Sequence, residues 1–297
     1  MKGFIVLWAI GAMGVAGLLA AGFGPPWVSA PDWVHVVAHL LLFGSLAWII
    51  DRRGRWQPPA TALVVLAVGL GVELAQVAAS RHLSLRELGF DMVVDGLGAM
   101  AGLAVGSRPA AARAIGAWLH PVWVVPVGLW GAFYAGLRQP TSAVWWAGCA
   151  SLCWLPAAGV WFQGVRQGWF RDMDLTERTD RPALFALACS CAALFLVLAS
   201  ILGAPEHVLL VAWEITITSV ALFALTVLGF KVSGHVTVPL VLAVAVAPWS
   251  SRGLAIFLIA AALLSWGRVR SLQHRPLEVA GAWALAAVLA APLLLAT

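Results

Sequence analysis

Apolar residues in this chain come in long unbroken runs, and the polar residues gather between them. A coiled run of about 20 mostly apolar residues matches the thickness of a bilayer. Eleven such runs are predicted, at 4–23, 33–50, 60–79, 88–106, 114–136, 142–164, 183–202, 207–229, 234–249, 252–269 and 276–296. Backbone groups inside lipid must pair within their own segment, so the runs read as helices. A lipid-facing barrel would instead alternate apolar and polar residues over stretches of about 10. The pattern predicts an all-α polytopic membrane protein with about 11 transmembrane helices. The first run follows Lys2 and is read as a retained span, since it is long for the core of a secretory signal and lacks a clear cleavage site.

Composition agrees with the pattern. Of 297 residues, 62% are hydrophobic and 10% charged, with mean hydropathy +0.93. Soluble domains carry about 25% charged residues. The net charge of +5 comes from loop arginines, with no basic helix or arm that would suit nucleic acid. With a cytoplasmic N-terminus, 14 of the 18 basic residues fall on the cytoplasmic side, leaving Arg81, Arg86, Arg138 and Arg252 opposite. That bias follows the positive-inside rule and places the C-terminus outside. Several of the 17 tryptophans, including Trp145, Trp146 and Trp249, fall near span ends, where indoles favour the interface. Cys149, Cys153, Cys189 and Cys191 lie within apolar runs and read as small buried side chains. A short basic hinge with a proline, Gly106 to Arg113, divides the chain into two helical-bundle modules, 1–106 and 114–297.

Three polar strings stand out in the second module: Arg178-Thr-Asp-Arg181-Pro182, Lys231-Val-Ser233-Gly234-His235, and Arg268 with His274 and Glu278. Polar groups beside lipid are costly unless paired or functional. An even number of spans separates successive strings, so all three reach one membrane face. Their residue types suit phosphoryl chemistry. Arg178, Arg181, Arg268 and Lys231 can hold phosphate oxygens, and Ser233 and Gly234 offer N–H groups at a helix start. One histidine can attack phosphorus while the other protonates the leaving oxygen. Glu278, one turn after His274, can orient that imidazole. Glu214 lies inside a span, where it is either functional or hydrogen-bonded to Thr216, Thr218 or a neighbouring helix.

The spacing Arg268-x5-His274-x3-Glu278 behind Ser233-Gly234-His235 and Arg181-Pro182 resembles the type 2 phosphatidic acid phosphatase family, over about residues 114–297. The resemblance implies His274 as nucleophile, His235 as general acid, and Arg181 and Arg268 as phosphate ligands. It also implies a lipid or isoprenoid phosphate substrate and no metal or other cofactor. The chain departs from the family at Glu278 for aspartate, Val232 for proline and Asp174 for a lysine, with Arg178 placed to substitute for the last.

The first module carries His35, His39, Glu73, Gln76, Arg81, Ser84, Glu87, Asp91 and Asp95. Glu87, Asp91 and Asp95 recur every four residues as an acidic stripe, continued by the small ridge Gly98, Gly102, Gly106. The strings His39-Leu-Leu-Leu-Phe43, Glu73-x2-Gln76, Arg81-x2-Ser84 and Asp91-x3-Asp95 resemble the VanZ-like family of small bacterial membrane proteins. That family is linked with glycopeptide resistance and has no established chemistry. The cluster reads as a buried ion-pair network, a headgroup or proton-linked site, or a metal site using His35 and His39.

These expectations make a multi-pass protein of the bacterial inner membrane that hydrolyses a lipid or isoprenoid phosphate through a phosphohistidine. The alternatives are a catalytically degenerate lipid-phosphate binder and a lipid transporter linked to the envelope or to antibiotic resistance.

Overall fold

The computed structural model describes residues 32–52, 56–80, 85–106, 109–173, 175 and 177–296, and every element among them is helical. The expected span at 4–23 and the residues Arg81, Ser84 and Asp174 lie outside this set, as do the side chains of His35, Gln76, Glu87 and Arg178. The chain divides into two compact units that meet between Ala117 and Trp118.

Among the described residues, the first unit holds α1 (Asp32–Arg52), α2 (Pro58–Ser80), α3 (Leu85–Val105) and α4 (Pro109–Trp118), the last ending at the boundary. Their common feature is close approach of α1 and α3. A Cβ on Gly44 would lie 3.0 Å from the carbonyl oxygen of Gly98, and one on Gly102 would collide with the Gly44 carbonyl. The small ridge read from the sequence thus lets two backbones touch, which is how helices associate where no hydrophobic force separates lipid from protein. Phe43, Ala47, Val94 and Leu103 are buried beside that contact.

The second unit holds α5 (Pro121–Leu137), α6 (Pro140–Arg166), a 3-10 turn (Arg178–Asp180), α7 (Arg181–Ile201), α8 (Glu206–Val227), α9 (Gly234–Val246), α10 (Ser251–Arg270) and α11 (Pro276–Ala296). The short helix α9 is central, packed against α5, α8, α10 and α11. Its buried residues cover every face, from His235 through Val246, as expected of a helix apolar all round. Alanines 143, 147 and 150 on α6 let Phe133, Phe195 and Leu196 pack closely.

Two sequence expectations change. The run at 114–136 is not one helix: α4 ends at Trp118 and α5 starts at Pro121. Pro121 has no N–H to continue a helix and drives His120 into an extended conformation (φ −65°, ψ 139°). Trp146, expected at an interface, is 7% exposed and sits in the core cluster, whereas its neighbour Trp145 is exposed. Five of the described helices are long and apolar enough to cross a membrane: Leu88–Val105, Pro140–Arg166, Arg181–Ile201, Glu206–Val227 and Ser251–Arg270. Three shorter apolar stretches, in α2, α9 and α11, accompany them. The four cysteines are free, with Cys153 and Cys191 buried.

Candidate functional site

The three polar strings of the second unit meet at the N-terminal end of α9. The first is positioned by the loop after α6. Gly168 takes a left-handed turn (φ 77°), and the N–H groups of Trp169 and Phe170 both donate to the Gly164 carbonyl. Phe170 and Leu175 then fold into an apolar cluster with Ala157, Leu184 and Cys191. Farther along, the Arg171 N–H donates to Asp180 (3.0 Å) and its guanidinium to Glu177 (2.9 Å). The loop therefore delivers Arg181 as the first residue of α7, 3% exposed. Its Nε donates to the Leu175 carbonyl (2.8 Å) and its Nη1 to the Val232 carbonyl (3.0 Å). Leu175 itself lies at φ 48°, a conformation costly for a side chain with a Cβ and held here by the surrounding contacts.

The second and third strings are stitched together by backbone. The Ser233 N–H donates to the Glu278 carbonyl at 3.2 Å. Helix α10 ends with Leu272 at φ 60°, and the N–H groups of Gln273 and His274 both donate to the Arg268 carbonyl. Pro276 opens α11, and the Glu278 carboxylate reaches back to the Arg275 N–H (3.3 Å), one half of a capping box. The five-residue gap between Arg268 and His274 is thus one helix end followed at once by one helix start.

The side chains give the site its polarity. His274 Nδ1 lies 2.8 Å from the Glu278 carboxylate, which also meets Lys231 Nζ at 3.4 Å. A carboxylate only accepts, so Nδ1 carries the proton and Nε2 keeps its lone pair. Burial is the main influence on this imidazole; Arg181, Arg268 and Lys231 add to it against the Glu278 hydrogen bond, and its pKa is pushed down to about 4. The ring is neutral near pH 7. Arg268, 1% exposed, places Nη2 3.0 Å from His235 Nδ1. A guanidinium only donates, so here Nδ1 accepts and the neutral ring carries its proton on Nε2.

These groups close one end of a cavity of about 470 Å³. Arg181, Gly234, His235 and His274 line it; Arg268 stands behind His235, and Lys231, Ser233 and Glu278 are not on its wall. Away from the histidines the wall is overwhelmingly apolar, drawn from α5, α6, α7, α8 and α9. A cationic, imidazole-bearing head and a long apolar body suit an amphiphile.

Sequence reasoning missed His120. It precedes α5 and accepts the Val122 N–H at Nδ1, a helix-capping role. Its ring stacks on Trp161 (5.1 Å between centroids) and meets His235 edge-on at 4.9 Å. The only local signal was a histidine before proline. Glu214 does not use Thr216, whose hydroxyl bonds the Ala212 carbonyl, and its Oε2 is buried without a partner among the described residues.

In the first unit, His39 Nδ1 lies 2.6 Å from Asp95, and both side chains are buried. One ligand-type atom from each of His39, Glu73 and Asp91 falls within 4.8 Å of the others. The structure therefore gathers four of the residues singled out in the first module; buried Asp51, which the sequence did not flag, lies apart from them beside Gly106. Compared with family models, with curated proteins and with solved structures, the chain matches none.

Proposed function

We propose that the second unit is a metal-independent phosphatase of lipid or isoprenoid phosphates, resembling the type 2 phosphatidic acid phosphatases. One observation carries this reading: His274 is held by Glu278 with its Nε2 lone pair unprotonated, on the wall of an apolar cavity shared with Arg181 and His235. In the reaction, Nε2 of His274 attacks phosphorus and the ester P–O bond breaks. The departing oxygen takes a proton from His235. Water then attacks the phosphohistidine, the P–N bond breaks, and inorganic phosphate leaves as His235 recovers a proton. Arg181 and the Gly234 N–H at the start of α9 hold phosphate oxygens, and Arg178 and Lys231 add positive charge.

In this reading the chain is a multi-pass protein of a bacterial inner membrane with about 11 spans. Its N-terminus is cytoplasmic and its C-terminus outside. The first unit is a VanZ-like module in which His39, Glu73, Asp91 and Asp95 form a buried polar network. The bilayer supplies the substrate laterally.

A second reading has its own support. Arg268 donating to His235 Nδ1 disfavours the doubly protonated imidazole that a general acid requires. A protein that binds lipid phosphate without cleaving it would keep that contact. The two are separated by phosphate release from prenyl diphosphates and phosphatidic acids by the purified protein, with His274→Ala as control. Release that depends on His274 supports the enzyme. Release from no substrate, or equal release by the variant, removes it.

A further inference from the structure

The first unit carries a donor set that the phosphate site does not use. His39 on α1, Glu73 on α2 and Asp91 on α3 each bring one ligand-type atom to within 4.8 Å of the other two, and all three residues are buried. Such a triangle has a central point roughly 2.8 Å or less from every corner, and zinc binds imidazole nitrogen and carboxylate oxygen at about 2.0–2.2 Å. A small inward closure of the side chains completes the coordination. Acidic residues alone often cluster without an ion. Here the third donor is an imidazole from a separate helix.

That imidazole is held from behind. His39 Nδ1 lies 2.6 Å from the buried Asp95 carboxylate. A carboxylate accepts, so Nδ1 carries the proton and the neutral ring presents its lone pair at Nε2, an atom that is itself buried. A carboxylate in this position fixes the tautomer of a metal-binding histidine and raises its basicity. Asp95 has a seat on α2: a Cβ on Gly69 would collide with its carboxylate. The backbone contact of Gly44 with Gly98 and Gly102 lies on the same two helices as His39, Asp91 and Asp95, and it fixes how far apart α1 and α3 stand. Charge points the same way. Two buried carboxylates this close repel, and burying them is costly without a cation among them. Around a divalent ion, Glu73, Asp91 and a neutral imidazole sum to no net charge, which suits apolar helices. Imidazole with carboxylate favours zinc or another first-row ion over magnesium and calcium, which take oxygen ligands.

We infer that the first unit binds a divalent first-row metal cation, zinc by its donor set, through His39, Glu73 and Asp91, with Asp95 as the positioning residue behind His39. Each ligand comes from a different helix, so the ion ties α1, α2 and α3 together. The inference does not rest on the phosphatase reading, which concerns the other unit.

The test uses the full chain, without a histidine tag, purified in detergent, stripped with a chelator and dialysed against zinc or cobalt(II). The wild-type chain should retain an equimolar amount of either ion by elemental analysis, and cobalt should report the site by its visible absorption. Glu73→Gln and Asp91→Asn keep the side-chain shape and should abolish retention. Asp95→Asn should still bind at saturation, with zinc affinity lowered about 10- to 100-fold. That shift is read on protein that still binds, so it stands even where a ligand variant fails to fold, as circular dichroism and gel filtration would show. His274→Ala should retain the ion, which locates it away from the phosphate site. A wild-type chain that retains neither zinc nor cobalt overturns the inference. Retention that Glu73→Gln and Asp91→Asn leave unchanged, or that His274→Ala abolishes, overturns it too.

Discussion

Replacing Glu278 by glutamine changes one charge and almost no volume at the centre of the site. The carboxylate makes three contacts: His274 Nδ1 at 2.8 Å, Lys231 Nζ at 3.4 Å and the Arg275 N–H at 3.3 Å. The imidazole it holds is about 1% exposed at the side chain, so water does not replace the lost partner. A hydrogen bond to a charged group contributes about 1.5–3 kcal/mol, which at about 1.4 kcal/mol per decade is roughly 10- to 150-fold in rate. That figure counts orientation alone. The amide of glutamine can also donate to Nδ1, which would move the imidazole proton to Nε2 and remove the attacking lone pair. In serine-based triads the same loss of tautomer control costs about 10⁴ in kcat. Glu278→Gln should therefore lower kcat between about 10- and 10⁴-fold, with KM little changed, because Glu278 is not on the cavity wall.

The assay is phosphate release together with acid-quenched trapping of the base-stable phosphohistidine. Both should fall together in Glu278→Gln. Glu278→Asp keeps the charge on a shorter arm and should retain more activity than the glutamine variant. The capping role offers a check on folding, since loss of that bond alone costs about 1 kcal/mol of stability. A variant that keeps kcat within twofold of wild type, or that loses it only in proportion to unfolded protein, refutes the assignment of Glu278 as the orienting group.

Arg181→Lys should lower stability by about 1–3 kcal/mol, because one ammonium cannot span both the Leu175 and Val232 carbonyls that the guanidinium bridges; kcat/KM should fall at least tenfold, and thermal unfolding with steady-state kinetics checks both. The pH dependence of stability has a definite sign. His274 is held at about 4 when folded against an ordinary value of 6.5, so between those values the unfolded chain binds the extra proton and stability falls as pH falls, by up to about 1.4 kcal/mol per unit. Thermal unfolding between pH 4 and 8 should show that slope in wild type and a shallower one in His274→Ala; equal slopes would refute a buried neutral His274.

What the sequence made legible here is what is local. The Arg268-x5-His274-x3-Glu278 spacing is readable because it is one piece of chain, a helix end and the next helix start joined by hydrogen bonds to the Arg268 carbonyl and the Arg275 N–H. The run of apolar residues at 234–246 likewise announces a helix buried on all sides, and so carries His235 into the middle of the unit. Contacts set by helix rotation are different. In a soluble helix the polar face would show which side meets the core. Here lipid and protein core are both apolar, so nothing in the residue pattern says that Trp146 joins the core while Trp145 stays exposed.

The same blindness hid His120. A single histidine before Pro121 predicts a helix start, and it makes one. That its ring would also meet His235, 115 positions away, depends on where α5 and α9 cross. The proline that breaks the expected 114–136 helix is what frees His120 to turn inward. A break placed by backbone chemistry thus sets the His120 ring, backed by Trp161, on one side of His235, with the Arg268 guanidinium donating to its Nδ1.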